Sequence, residues 1–224
     1  RLMFGDKHTL IRAEFDTTLF APTYKCETQF GHVERPTHLN TSWDQAKFEV
    51  CAHKWMTVAE NGYGVALLND CKYGITVEGG NLRLSLHKGG THPDREGDHD
   101  CPHKCTYSLL PHNSGFNSTA VIRPSYALNV PVIAANGSYE MNTPVTVDAD
   151  NIFVEAIKPC EDTQKAFIVR MYEAEGTRTN AALSFPGAAK CEITNMLEET
   201  QSELTDMNVT FRPFEIKTIR LKRR

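Results

Sequence analysis

Apolar and polar residues alternate one for one along several stretches of this chain, and no other feature limits its fold so strongly. Leu82-Arg83-Leu84-Ser85-Leu86-His87 keeps strict period two, with leucines on one face and Arg83, Ser85 and His87 on the other. Residues 24–30 alternate with the apolar set on even numbers, and residues 47–53 alternate again. A helix turns about 100° per residue and would scatter such a set, whereas a strand sorts it onto two faces. The run 63–68 is apolar throughout, which suits a strand covered on both sides. Gly79-Gly80 supplies a hairpin turn ahead of the leucine strand. Strand character is also expected over 9–15, 104–110 and 121–132, and nothing before Pro131 holds a helical period beyond two turns.

Residues 135–144 are rich in turn formers and read as a linker. Beyond it come short β-like runs at 152–157, 165–172, 181–185, 191–193, 208–211 and 214–221. Turn residues separate them at a spacing of roughly 8–12, the pattern of a small sandwich. Only 195–203 has room for a helical turn or two. The fold class is therefore all-β, in two units covering 1–134 and 145–224.

Composition narrows the function by exclusion. A net charge of −4 over 224 residues gives no electrostatic case for nucleic acid or an anionic membrane surface. No apolar run approaches the ~20 residues of a membrane span, and there is no signal-peptide pattern. A chain opening on Arg1 is expected to be a piece of something longer. Seven cysteines, an odd and scattered set, favour a reducing compartment, hence the cytoplasm, over a disulfide scaffold. The four Asn-x-Ser/Thr triplets at Asn40, Asn117, Asn136 and Asn208 matter only to a secreted protein.

Few residues group in a way that carries chemistry. His92, His99, Cys101, His103 and Cys105 offer zinc-type donors, the last four at intervals of two. On an extended backbone such neighbours stand about 6–7 Å apart, and Pro102 interrupts the pairing, so a loop beside a sandwich is the plainer reading. Acid pairs such as Glu198-Glu199 or Asp148-Asp150 are the ordinary surface of a globular protein, although glycoside hydrolysis does use two carboxylates. No nucleophile elbow and no phosphate-binding glycine loop is present. The residues alone give two β units with no self-contained catalytic set.

An ordered string of motifs goes further. It runs Gln29-Phe30-Gly31-His32-Val33-Glu34-Arg35-Pro36-Thr37-His38, Asn40-Thr41-Ser42-Trp43-Asp44, Phe48-Glu49-Val50, His53-Lys54-Trp55 and Leu67-Leu68-Asn69-Asp70-Cys71-Lys72-Tyr73-Gly74. Leu82-Arg83-Leu84-Ser85-Leu86, Tyr107-Ser108-Leu109-Leu110-Pro111-His112, Arg170-Met171-Tyr172-Glu173, Asn195-Met196-Leu197-Glu198 and Phe211-Arg212-Pro213-Phe214-Glu215-Ile216 follow in order. From about Lys7 to Leu221 the chain resembles the C-terminal region of cytosolic-type family 38 α-mannosidases. The resemblance implies part of a mutarotase-like supersandwich followed by a smaller sandwich. It also implies a retaining exo-α-mannosidase acting on mannose-containing glycans. The zinc ligands and nucleophilic Asp of such an enzyme lie in an N-terminal α/β domain, and the His-x-Asp-x-x-Trp zinc motif is absent from this sequence.

Zinc is accordingly expected for the full-length enzyme and not for this piece, whose main partner would be that N-terminal catalytic domain; homo-oligomerisation stays open. The resemblance implies Lys88 as a substrate contact, standing where relatives carry an arginine, with a point charge in place of a bidentate fork. Asp70 either caps the turn it precedes or faces the sugar. His103 and Tyr107 match family positions, while Cys105 stands where an aromatic is usual. Arg35, His38, Asn40, Trp43, Asp44 and Trp55 read mostly as contacts to the catalytic domain, the two tryptophans as interface or core before sugar-stacking. A sugar-binding module acting alone, or a zinc-stabilised structural protein, are the other readings.

Overall fold

The alternating segments become strands. In the computed structural model, which describes residues 9–90, 102–113, 115–138 and 145–223, they pair into antiparallel sheets. One unit takes Arg1–Gln29 and Val33–Val132, and the other takes Phe30–His32 and Ile133–Arg224.

In the first unit the strands are β1 (Leu10–Asp16), β2 (Thr23–Thr28), β3 (Gly31–Pro36), β4 (Val50–Cys51), β5 (Trp55–Glu60), β6 (Tyr63–Asn69), β7 (Gly74–Glu78), β8 (Asn81–Lys88) and β9 (Tyr107–His112). One sheet runs β1-β8-β7-β4 and the other β3-β2-β5-β6-β9. Tyr24, Cys26, Met56, Val58, Val65 and Leu67 of the second sheet share one core with Ile75, Val77, Leu82, Leu84 and Leu86 of the first. Each such Leu or Val contributes about 1.5–3 kcal/mol by leaving water. The continuously apolar β6 is buried from Gly64 to Asn69. Val65 and Leu67 face that core, while a helical segment covers the other side. Gly64 has no room for a side chain because the His112 ring, bonded to Thr57 Oγ1 at 3.1 Å, lies over it.

That covering segment corrects one expectation. Residues 121–132 do not form a strand: a π turn, Ser118–Ile122, runs into the helix Arg123–Asn129. The β-branched pair Val121-Ile122 argues for a strand, but stronger local terms decide otherwise. The Asn117 side chain caps the turn by accepting from Ala120 N–H at 2.8 Å. Pro124 sits in the first helical turn, where its missing N–H costs nothing. Ser118, Val121, Ile122 and Ser125 are buried at helical spacing.

Two more expectations change. His87 is not on the polar face of the leucine strand: the β1–β8 register slips at Leu86, a bulge that turns His87 inward to 6% exposure. Of residues 47–53 only β4 pairs, with β7. The segment before it forms a short helix, α1 (Ser42–Ala46), held by a reciprocal Thr41–Asp44 capping box; the helix Arg123–Asn129 is α2. Among the described residues no helix is long and apolar enough to cross a membrane.

In the second unit all six expected runs are strands, joined by two short ones: β10 (Thr146–Val147), β11 (Ile152–Pro159), β12 (Ala166–Glu173), β13 (Thr179–Ser184), β14 (Ala188–Thr194), β15 (Thr200–Glu203), β16 (Asn208–Phe211) and β17 (Ile216–Arg223). A β11-β12-β17-β14-β15 sheet and a β10-β13-β16 sheet enclose a core of Val169, Met171, Leu183, Phe211, Ile219 and Leu221. Residues 195–203 make no helix. Asn195 Oδ1 accepts from Leu197 N–H and Glu199 N–H, each at 3.0 Å, and the chain re-enters the sheet as β15.

Glu173, fully buried, closes the end of this sandwich. Its carboxylate accepts from the backbone N–H groups of Glu175 (2.8 Å), Gly176 (2.8 Å), Thr177 (3.0 Å) and Phe214 (3.0 Å), and from Asn151 Nδ2 (2.9 Å). Phe214 is held there at φ 57°, a conformation that costs a non-glycine residue about 1–2 kcal/mol. Each buried donor that loses its acceptor costs about 1–3 kcal/mol, so Glu173→Ala should destabilise the chain by about 3–5 kcal/mol in urea unfolding, with Glu173→Gln between it and the parent.

Two other buried carboxylates give a pH signature. Glu192 is held down to about 2, chiefly by the Lys222 ammonium at 3.0 Å and then by Lys190 at 3.0 Å. Glu198 is also held at about 2, by Glu161 N–H at 2.9 Å and Lys158 Nζ at 2.5 Å. Both folded values lie below the ordinary carboxylate value, so this stabilisation is complete above roughly pH 5 and is lost as pH falls from there toward 2. Thermal unfolding followed across that range should show the midpoint dropping with acid. The double variant Glu192→Gln, Glu198→Gln should start lower at neutral pH and show a flatter decline.

Candidate functional site

Two clefts open on the first unit. The smaller, about 190 Å³, is polar and is lined by His53, Lys54, Asn69, Asp70, Tyr73 and Asn129. The β5–β6 pairing, with Trp55 opposite Leu68, brings the start of one strand against the end of the other. Asn69, 3% exposed, ties them together: its Nδ2 donates to His53 O at 2.8 Å, and its Oδ1 accepts from Lys72 N–H at 2.7 Å. Its backbone O accepts from Asn129 Nδ2 at 3.0 Å, which anchors the end of α2 to the same point.

Lys54 crosses the cleft to a buried partner. Its Nζ meets Glu27 Oε1 at 2.7 Å and lies 4.6 Å from the Tyr126 ring centroid. Burial pushes the Glu27 carboxyl up even against the Lys54 charge. Asp70 stands at the mouth: its N–H donates to Thr106 O at 3.1 Å, and its Oδ1 accepts from Thr106 N–H at 2.9 Å. Partial burial would raise its carboxyl, but hydrogen bonds from Thr106 and Cys71 outweigh it and hold the group below the usual range. The turn is therefore capped by Asn69, and Asp70 brackets the turn to the 102–106 segment while also lining the cleft. Tyr73 is 55% exposed and meets the His53 ring edge-on at 5.5 Å. Carboxylate, ammonium and an exposed aromatic face together suit a hydroxyl-rich ligand.

Lys88 ends β8 opposite Leu10, exposed and outside the lining of the Asp70 cleft. Its neighbour His87 packs on His103 at 4.5 Å between ring centroids. Asp70 and His87 thus both abut the segment 102–106, but no single cleft gathers Asp70 and Lys88. Of the zinc-type residues, His92, His99 and Cys101 lie outside the described residues. Cys105 packs against the apolar core. Among the described residues no three His, Cys, Asp or Glu side chains stand together as a metal site. Trp55 is a core residue, 1% exposed and stacked on Phe116 at 5.0 Å, whereas Trp43 is 77% exposed.

The larger cleft, about 270 Å³, has an apolar floor of Tyr24, Val50, Ile75 and Val77 beneath Arg12, Arg35 and Arg83. Arg12 faces Glu49 at 3.7 Å, and Arg83 faces Glu78 at 3.1 Å and, through its Nε, Glu14 at 3.5 Å; the Nε–H groups of Arg12 and Arg35 are buried without a hydrogen-bond acceptor. Burial pushes the Tyr24 phenol and the Cys26 thiol up, and the neighbouring Arg35 charge opposes both shifts. Arg35 and Arg83 both belong to the motif string, and the alternation of the leucine strand already puts Arg83 on its polar face; Arg12 was not singled out. Because Asn69 holds two buried partners and Asp70→Asn keeps an oxygen for Thr106, Asn69→Ala should cost about 2–4 kcal/mol and Asp70→Asn less than about 1 kcal/mol, compared by urea unfolding.

Comparison with known proteins gives a consistent picture. The model of the glycosyl hydrolases family 38 C-terminal domain matches residues 1–96, and that of the family 38 C-terminal beta sandwich domain matches residues 151–219. Alpha-mannosidase G of Dictyostelium discoideum is 39% identical over 97% of this chain, and human alpha-mannosidase 2C1 is 36% identical over 96%. The chain spans 21% and 22% of the length of those two relatives. The crystal structure of an α-mannosidase from Enterococcus faecalis V583 superposes with a TM-score of 0.77 at 20% identity, covering 95% of this chain and 26% of that one. Two models of one family match in order along most of its length, and the chain belongs to glycosyl hydrolase family 38, of which it carries the C-terminal β-region.

Proposed function

We propose that this chain is the non-catalytic C-terminal part of a retaining, zinc-dependent exo-α-mannosidase that trims terminal α-mannosyl residues from glycans in the cytoplasm. What carries the reading is the match, 39% identical over 97% of the chain, to an α-mannosidase about five times as long. The described cysteines, all with free thiols, accord with a reducing compartment. Zinc would grip sugar hydroxyls in such an enzyme. Among the described residues no three His, Cys, Asp or Glu side chains stand together as a metal site, and this reading assigns both ion and nucleophile to the N-terminal part of the enzyme. In a retaining reaction one carboxylate forms the glycosyl-enzyme, while a second protonates the leaving oxygen and later activates water.

This chain's residues orient and support. Asp70, whose carboxyl is held below the usual range, offers a hydroxyl acceptor beside Tyr73, and Lys88 offers a side-chain amine at the end of β8. Within this reading both are substrate contacts at the rim of the sugar pocket.

A second reading, a carbohydrate-binding module acting alone, draws on the exposed Tyr73 next to the Asp70 carboxylate. Assayed as it stands on an aryl α-mannoside, the 224-residue chain should show no turnover with or without zinc. Zinc-dependent hydrolysis would defeat the first reading. Saturable mannose binding by calorimetry, abolished in Tyr73→Ala, would promote the second.

A further inference from the structure

The chain leaves one sheet of the first unit at the end of β6, makes the β7–β8 hairpin in the other sheet, and returns as β9. A cysteine stands at each crossing, Cys71 on the way out and Cys105 on the way back. The β6–β9 register sets the two opposite one another. Asn69 faces Tyr107. One step on, Asp70 N–H donates to Thr106 O at 3.1 Å, and Thr106 N–H donates to Asp70 Oδ1 at 2.9 Å. The next step brings Cys71 across from Cys105.

Hydrogen-bonded and non-bonded pairs alternate along an antiparallel ladder. Pro111, opposite Val65, has no N–H to give, so 65–111, 67–109 and 69–107 are non-bonded pairs, and 70–106 is a bonded one. Cys71 and Cys105 fall in the non-bonded class, where α-carbons stand about 4.5 Å apart and side chains come closest. A disulfide spans α-carbons about 4.4–6.8 Å apart. The Cys71 side chain leans across the gap: its Sγ donates to Lys104 O at 3.6 Å. That oxygen is three bonds, about 4 Å at most, from the Cys105 Cα. Access differs between the two thiols, for Cys71 is exposed and Cys105 is half-buried against the core.

We propose that Cys71 and Cys105 form a reversible redox pair, oxidised by small disulfides, that staples the two crossings together beside Asp70 at the mouth of the polar cleft. Cys71 gives up its proton and attacks one sulfur of a disulfide such as oxidised glutathione, releasing one glutathione thiolate, which takes up that proton. Cys105 in turn gives up its proton and attacks the Cys71 sulfur, expelling the second glutathione as a thiol. Two protein thiols are oxidised by two electrons, and one small disulfide is reduced to two thiols. Burial first, and then the Asp70 carboxylate, push the Cys71 thiol up to about 11. Thiolate is therefore scarce at neutral pH and the first attack is slow. The pair stays reduced in a reducing compartment and closes when disulfides accumulate. The inference rests on the placement of two thiols and stands whether or not the cleft takes a sugar.

The test treats the 224-residue chain with oxidised glutathione at mildly alkaline pH, then alkylates it in denaturant and maps its peptides by mass spectrometry without reductant. Two of the seven thiols should be lost. One peptide pair joined through Cys71 and Cys105 should appear, and dithiothreitol should reverse both changes. Cys105→Ser should form no internal link and instead keep glutathione on Cys71. The link closes a loop that contains β7 and β8, which restricts the unfolded chain, so the oxidised parent should unfold at higher urea than the reduced one. Cys71→Ser, altered at an exposed position, should gain nothing on oxidation, and it carries the comparison should Cys105→Ser fail to fold. A link from Cys71 to any other cysteine overturns the proposal. So does a lasting glutathione adduct on Cys71 in the parent, or an unchanged urea midpoint once the link has formed.

Discussion

A backbone N–H shut away from water must find an acceptor, and in each unit one buried side chain, Asn69 in the first and Glu173 in the second, ties strand ends together in this way. In the first unit Asn69 accepts from Lys72 N–H and donates to His53 O, so the end of β6, the start of β5 and the approach to β7 are fixed together. In the second, Glu173 gathers N–H groups from the loop after β12 and from the turn before β17. The sheets supply most of the apolar burial. These two residues decide how their ends are joined, and through Asn69 they decide where the polar cleft lies.

The fold was legible wherever the signal was periodic. Leu82, Leu84 and Leu86 alternate into the core, β6 is apolar because both its faces are covered, and six runs in the second half became six strands. The failures have two causes, local polar chemistry that overrides apolar pattern and strand register. The Asn117 cap and Pro124 turn the β-branched Val121-Ile122 into helix. A bulge at Leu86 moves His87 across its strand, and register is not visible in one strand alone.

Much less of the site was legible. A motif marked Asp70 as either a turn cap or a sugar contact, but the sequence could not divide labour between it and Asn69: both are short polar side chains at a strand end, and only burial separates them. Nor could it pair Arg12 with Arg83, which are far apart along the chain and meet only because β1 lies against β8. Trp43 and Trp55 are the same residue type twelve positions apart, one on a helix that buries nothing and one behind Phe116.

The strand order of the second unit bears on how such a chain is made. β17, the last strand in sequence, lies between β12 and β14 at the middle of its sheet. During synthesis the earlier strands emerge as two separate pairs, β11 with β12 and β14 with β15, and nothing joins them until Ile216–Arg223 has left the ribosome. At about 5–20 residues per second the first pair waits several seconds with open edges. This sheet consequently cannot close until the residues of β17 have been made, and until then two unjoined hairpins present open edges.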